Sequence, residues 1–217
     1  MLFRSVSQSR YVYNPTINER IQLLKREPLT ERWFLDDPRP CILAIGRLVF
    51  QKDFLTLLRA FLRVRKEFDF KLVILGEGED RTMLEKFVHA NNLTTSVYLP
   101  GFVANPYKFM QASQLFVLSS RYEGLPNALI EAVYCNLPCV STSCRSGPRE
   151  ILLEGAGGRL VAVGNSQQMA AAIIDTLNEP DTSMAMSALA LRGLDRFKPE
   201  NVVPIFERAI NSSSKCA

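Results

Sequence analysis

The sequence predicts a doubly wound α/β domain with a parallel, Rossmann-like sheet, and two observations carry that prediction. Short apolar runs rich in β-branched residues recur at 41–45, 70–75, 96–99, 114–118, 138–141 and 159–161, and stretches of helical character separate them. Parallel strands are buried on both faces and need helical crossovers, which is the rhythm seen here. In the first crossover Phe54, Leu57, Leu58, Phe61 and Leu62 recur at i, i+3, i+4, i+7 and i+8, the apolar stripe of one helix. Met83, Leu84, Phe87 and Val88 repeat the device in the second. A third helix is expected to begin at Pro126, whose fixed φ and missing N–H suit a first helical turn, and to run through Val133. Helical patterns follow at 166–177, 183–194 and 200–210. The expected organisation is a linker with a short helix near 19–25 over residues 1–38, a Rossmann-like α/β domain over 39–210, and a polar, frayed tail over 211–217.

Composition narrows the class of protein. The 217 residues are 47% hydrophobic and 22% charged, which excludes a disordered or low-complexity chain. No run approaches the ~20 apolar residues of a membrane-spanning helix. Residues 1–14 carry Arg4 and Arg10 among serines without an apolar core, so the expectation is a cytoplasmic protein without a secretory leader. The net charge of +4 suits an anionic ligand and falls short of a nucleic-acid-binding tail, so no nucleic-acid partner is expected. Cys41, Cys135, Cys139, Cys144 and Cys216 contain no Cys-x-x-Cys pair, and His89 is the only histidine. Buried thiols and no metal are the expectation. Arg59, Arg63, Arg65 and Lys66 offer a basic face for peripheral contact with an anionic membrane, though a solvated crossover helix is the commoner origin of such a face.

In open parallel sheets ligands lie beyond the carboxyl ends of the strands, so function is sought in the loops after each run. The first loop carries Gly46, Arg47 and Lys52: a glycine that permits close backbone approach and two cations suited to phosphate. The second, Gly76-Glu-Gly-Glu-Asp-Arg81, imitates a dinucleotide fingerprint but has Arg81 at the third glycine position, and Glu77, Glu79 and Asp80 would repel a pyrophosphate. A turn and helix start is the better reading, which weakens the alternative of an NAD-dependent oxidoreductase. The third loop places Glu123 before, and Glu131 inside, the helix expected from Pro126. Between them the N–H groups of Gly124, Leu125, Asn127 and Ala128 make an anion cradle. A carboxylate on each side of such a cradle suits a ligand with hydroxyls at both ends and phosphates between. In the fourth loop Gly147 and Pro148 fit a wall for a ligand or a tight bend, and a bend is expected.

Together these loops resemble the C-terminal, donor-binding half of retaining glycosyltransferases of the GT-B fold, in the glycosyl transferases group 1 family. The resemblance spans residues 13–210 and is strongest in Glu123-Gly-Leu-Pro-Asn-Ala-Leu-Ile-Glu131, two glutamates with seven residues between, joined to Gly46, Arg47 and Lys52. It implies a catalytic set in which Arg47 and Lys52 hold the diphosphate and Glu123 the donor sugar. It implies Glu131 on the ribose, Phe102 and Val103 at the base, and Gly46, Gly124, Leu125 and Asn127 lining the donor. No cofactor is implied; the donor substrate would be a nucleoside-diphosphate sugar, UDP-sugar foremost. The acceptor would be a glycan or a lipid-linked sugar in cell-surface polysaccharide synthesis. Family members also carry an N-terminal acceptor domain, here expected in cis or in trans. A non-catalytic partner subunit, completed by a separate acceptor-domain protein, is the competing expectation. His89, far in pattern from the donor loops, is not read as a catalyst.

Overall fold

The computed structural model describes residues 13–213. After α1 (Glu19–Leu24) and α2 (Arg32–Leu35), strands and helices alternate. They are β1 (Cys41–Ile45), α3 (Phe54–Val64), β2 (Lys71–Leu75), α4 (Arg81–Ala90), β3 (Val97–Gly101), α5 (Tyr107–Gln111) and β4 (Leu115–Leu118), then α6 (Asn127–Tyr134), β5 (Cys139–Thr142), α7 (Pro148–Ile151) and β6 (Arg159–Val161). The chain closes with α8 (Ser166–Asn178), α9 (Pro180–Arg192) and α10 (Pro199–Ser213). The sheet order is β3-β2-β1-β4-β5-β6 and every pairing is parallel. Chain progression reverses between β1 and β4, and in such sheets that switch point opens a crevice at the carboxyl ends of the strands.

Alternation along each strand divides the core. Ile42, Ala44, Leu72, Ile74, Leu115 and Val117 face the layer that holds Phe54, Leu57, Leu58, Phe61 and Val64 of α3, with residues of α4 and α8. Cys41, Leu43, Val73, Leu75, Phe116 and Leu118 face the layer of α1, α2, α5, α6 and α9. Side chains such as Phe61 and Phe116 are fully buried, each worth about 1.5–3 kcal/mol of transfer from water. The α3 stripe lies where its spacing placed it, whereas Met83 of the α4 stripe is exposed.

Residues 13–38, expected as a linker, pack onto the sheet instead: Ile17, Ile21 and Phe34 are core residues. Lys71, at the start of β2 and only 2% exposed, anchors this segment. Its ammonium donates to the carbonyls of Phe34 and Asp37, both at 2.6 Å, and sits 3.9 Å over the Phe34 ring. Burial pushes its pKa down, and the two carbonyls plus the ring face replace the lost hydration. Asp37 is held by Arg39 and by the hydroxyl of Tyr98, at 2.7 and 2.9 Å.

Pro126 precedes α6 rather than opening it: its ψ of 96° is extended, and its carbonyl accepts from Leu129 and Ile130. Helix α10 extends through Ser213 into the expected tail, whose residues 214–217 lie outside the described ones, as do Cys216, Arg4 and Arg10. Cys41, Cys135, Cys139 and Cys144 are free and buried, as expected. No described helix is long and apolar enough to cross a membrane. Arg59, Arg63, Arg65, Lys66 and His89 are exposed on helix surfaces or helix ends remote from the carboxyl ends of the strands.

Candidate functional site

Two loops meet at the switch point and are stitched together. Beyond β1, Gly46 lets the stem of Lys52 fold back over the backbone, since an added Cβ would stand 3.2 Å from the Lys52 Cε. A turn of 3-10 helix at Phe50–Lys52 then leads through Asp53 into α3. The loop after β4 bonds to it at several points. The Arg121 N–H donates to the Gln51 carbonyl at 2.8 Å. The Gln51 side chain donates to the Tyr122 carbonyl at 2.9 Å, and the Ser119 hydroxyl to the Lys52 carbonyl at 2.7 Å. Arg121 also pairs with Asp53 at 3.1 Å and lies over the Phe50 ring.

The Lys52 ammonium meets Glu123 Oε1 at 2.6 Å, with the two side chains 16% and 7% exposed. The Ser120 hydroxyl donates to the same oxygen at 2.6 Å. Both donors occupy Oε1, and Oε2 has no hydrogen-bond partner among the described residues. Arg47 is exposed and forms no ion pair among the described residues. A Cβ on Gly124 would meet nothing within 4 Å, so this glycine borders open space. The N–H groups of Gly124, Leu125, Asn127 and Ala128 have no partner among the described residues, the state of unsatisfied donors at a helix start.

The loop of Gly147 is more than the bend expected of it. With φ of +84°, Gly147 packs so closely on the Glu123 loop that a Cβ would lie 2.5 Å from the Gly124 carbonyl oxygen and 2.6 Å from Pro126 Cδ. Ser146 donates to the Glu123 carbonyl at 2.7 Å. Here Gly124, Leu125, Ser146, Gly147 and Glu150 line a cavity of about 520 Å³ together with Tyr13 and Asn14 from the N-terminal segment. Tyr13 donates to Glu150 and packs edge-on against Phe197, while Thr16 donates to Asn127 Oδ1 at 3.1 Å. The Gly76 loop is the turn expected, and it also braces the site. A Cβ on Gly76 would collide with the Gly46 carbonyl oxygen at 1.9 Å, and the Leu48 N–H donates to the Glu77 carbonyl.

Glu131 projects from the second turn of α6 into a separate cavity of about 270 Å³, shared with Ile45, Gly76, Phe102, Val103, Ala104 and Tyr107. Burial raises its carboxyl pKa, and the Tyr107 hydroxyl, donating to Oε1 at 3.1 Å, opposes that rise. Phe102 is 79% exposed at the rim. A larger cavity of about 560 Å³ lies at the amino ends of the strands, beside Phe70, Gln114 and Pro138, away from these groups. Sequence reasoning missed Tyr13, Asn14, Tyr107, Ser120 and Ser146. Ser120 and Ser146 sat within loops already singled out, and a hydroxyl three residues before Glu123 and one beside Gly147 were the available signals.

The loops of this site converge on a run of unpartnered N–H groups, with Glu123 before it and Glu131 after it, at the switch point of a Rossmann-like sheet. Residues 25–191 match the glycosyl transferases group 1 family, and the chain belongs to that family. An uncharacterized glycosyltransferase of Methanocaldococcus jannaschii is 42% identical over 155 residues, which are 69% of this chain and 38% of that protein. The N-acetylgalactosamine-N,N'-diacetylbacillosaminyl-diphospho-undecaprenol 4-alpha-N-acetylgalactosaminyltransferase of Campylobacter jejuni is 41% identical over 128 residues, 59% of this chain and 34% of that one. Among solved structures, a mutant TarM of S. aureus with fondaparinux, alpha-GlcNAc-glycerol and UDP aligns with a TM-score of 0.73 at 26% identity. It covers 78% of this chain and 35% of that one. The fold is thus the Rossmann-like half of a GT-B glycosyltransferase, and the chain spans little more than a third of the length of these relatives.

Proposed function

We propose that this chain binds a nucleoside-diphosphate sugar, UDP-sugar foremost, as the donor half of a retaining glycosyltransferase. The observation that carries the reading is the succession of groups from the loop after β4 into α6. Glu123 with its Lys52 partner, the free N–H groups of Gly124, Leu125, Asn127 and Ala128, and Glu131 with its cavity follow one another along the chain, which suits sugar, diphosphate and nucleoside in turn. The UDP held by the S. aureus relative supports the nucleotide.

In this reading the diphosphate takes the N–H groups of Gly124, Leu125, Asn127 and Ala128, with Arg47 and Lys52 as its cations. Glu123 Oε2 accepts a sugar hydroxyl, Glu131 accepts from the ribose, and Phe102 and Val103 enclose the base. Lys52 exchanges Glu123 for phosphate as the donor enters. When the anomeric bond breaks, negative charge collects on the departing diphosphate, and preorganised donors of this kind each lower a barrier by about 3–4 kcal/mol. The acceptor is a glycan or lipid-linked sugar, in keeping with the diphospho-undecaprenol substrate named for the Campylobacter relative. It is presented by an N-terminal acceptor domain in cis or in trans, and peripheral membrane contact and a cytoplasmic location follow from such an acceptor.

Calorimetric titration with UDP and with UDP-sugars tests this. Glu131→Ala weakens both ligands, since both contain the ribose, whereas Glu123→Ala weakens only the sugar-bearing ligand. No binding of UDP by the parent, or equal losses for both variants on both ligands, refutes the assignment.

A further inference from the structure

Glu131 is a half-buried carboxyl that pairs with no cation among the described residues. Among the described residues its one hydrogen-bond partner is Tyr107, which donates to Oε1 at 3.1 Å from the first turn of α5. Tyr107 is itself held in place from two sides. Its N–H donates to Asn105 Oδ1 at 3.1 Å, and the Asn105 amide donates to the Leu24 carbonyl and to Glu27 at 2.9 and 2.8 Å, pinning this turn to the end of α1. The phenol is therefore delivered by a constrained turn and is not a side chain free to choose its partner. Tyr107 and Glu131 both line the cavity under Phe102 and Val103.

We propose that Tyr107 is a positioning residue for Glu131: its hydroxyl occupies one carboxylate oxygen and presents the other, ionised, to a ligand hydroxyl in this cavity. An ionised oxygen held in one orientation can accept from a hydroxyl of a vicinal diol such as a ribose. A neutral carboxylic acid would turn a donor toward the ligand and lose an acceptor. Burial works against ionisation here and the Tyr107 bond works for it. The phenol is pushed up to about 12 by burial and by Glu131, so it remains a donor throughout the range in which the carboxyl titrates. The other titratable groups around the pair are Cys135 at the end of α6, whose thiol is pushed up to about 11, Arg20 of α1 and Lys25 just after it. Arg20 acts on Tyr107 and Lys25 on Cys135, and neither pairs with the carboxylate. The identity of the ligand rests on the proposed function; the control of the Glu131 carboxyl by Tyr107 does not.

The test begins without ligand. In protein labelled with ¹³C at the glutamate carboxyl, the Glu131 resonance is the one lost in Glu131→Gln, and its titration midpoint is followed. Tyr107→Phe should raise that midpoint by about one pH unit, the loss of a hydrogen bond to a charged group. Replacement of Tyr107 by 3-fluorotyrosine, a stronger donor of nearly the same shape, should lower it, which decides the matter if Tyr107→Phe fails to fold. An unmoved midpoint in the phenylalanine variant, or in the fluorotyrosine protein, overturns the proposal. UDP titrations over about pH 5 to 8 then read the consequence. The parent loses affinity on acidification, and in Tyr107→Phe that loss begins about one unit higher, a three- to tenfold deficit where the profiles separate. Profiles that coincide overturn the proposal. A midpoint that moves in protein binding no UDP at any pH supports the positioning role and refutes the nucleotide reading instead.

Discussion

Replacing Lys52 by alanine tests the ion pair at the centre of the crevice. The change removes the cation 2.6 Å from Glu123 and leaves a carboxylate that is 7% exposed, with only the Ser120 hydroxyl to hold it. Removing one partner of a fully buried pair costs about 3–5 kcal/mol. Residual access through the crevice and the surviving Ser120 bond place this site below that range, at about 2 kcal/mol. For a chain of this size that lowers the melting midpoint by about 4–8 °C. The double variant Lys52→Met with Glu123→Leu removes both charges, and it should return to within about 1 kcal/mol of the parent, because a paired charge and an apolar pair of similar volume are nearly equivalent. Urea unfolding of the parent, Lys52→Met, Glu123→Leu and the double variant measures the cycle, with Lys52→Ala read beside it. Titration with UDP measures the other face of the same residue. In the proposed role the single Lys52→Ala change weakens UDP by about 10- to 100-fold, the worth of one charge-assisted phosphate contact. If Lys52→Ala matches the parent in stability and in UDP affinity, the pair is neither structural nor a reserve of charge for phosphate. A double variant less stable than either single one would refute the argument that the unpaired Glu123 carries the cost.

Glu131→Gln should stabilise the fold at neutral pH while it weakens UDP. Burial raises the native carboxyl pKa above its unfolded value, so the parent loses stability as pH rises from the ordinary carboxylate range through the native pKa, and glutamine escapes that loss; melting curves of parent and variant should converge on acidification and separate on return to neutrality. Asp37 has the opposite sign, since the Arg39 guanidinium holds its carboxyl well below the usual range. Its stabilisation is present above the unfolded carboxylate pKa and is lost as pH falls, and Asp37→Asn should cost about 1.5–3 kcal/mol at neutral pH and progressively less in acid, as followed by denaturant unfolding. Gly147→Ala should weaken nucleotide-sugar binding more than it lowers stability, because a Cβ there at positive φ displaces the Gly124 carbonyl or Pro126 from the cradle wall; an unaltered titration would show that this wall does not touch the donor.

The local patterns that a chain must satisfy for any partner were legible before folding. Runs buried on both faces betrayed the parallel strands, and the i, i+3, i+4 stripe from Phe54 placed α3, because periodicity is a property of adjacent residues. The Glu123 to Glu131 spacing likewise marked both carboxylates, since loop and helix are contiguous there. What residues distant in sequence do to one another was not legible. Tyr13 and Asn14 read as a linker but line the cavity beside Gly124, and Lys52 read as a phosphate cation but already holds Glu123, 71 residues away. Tyr107 carries no motif, yet a turn pinned by Asn105 brings it to Glu131. Each of these depends on the order β3-β2-β1-β4-β5-β6, which sets β1 against β4 and brings their loops together. Charge pairing and burial act through space, so the amino-acid order decided which groups the protein owns, and only the folded sheet decided which of them meet.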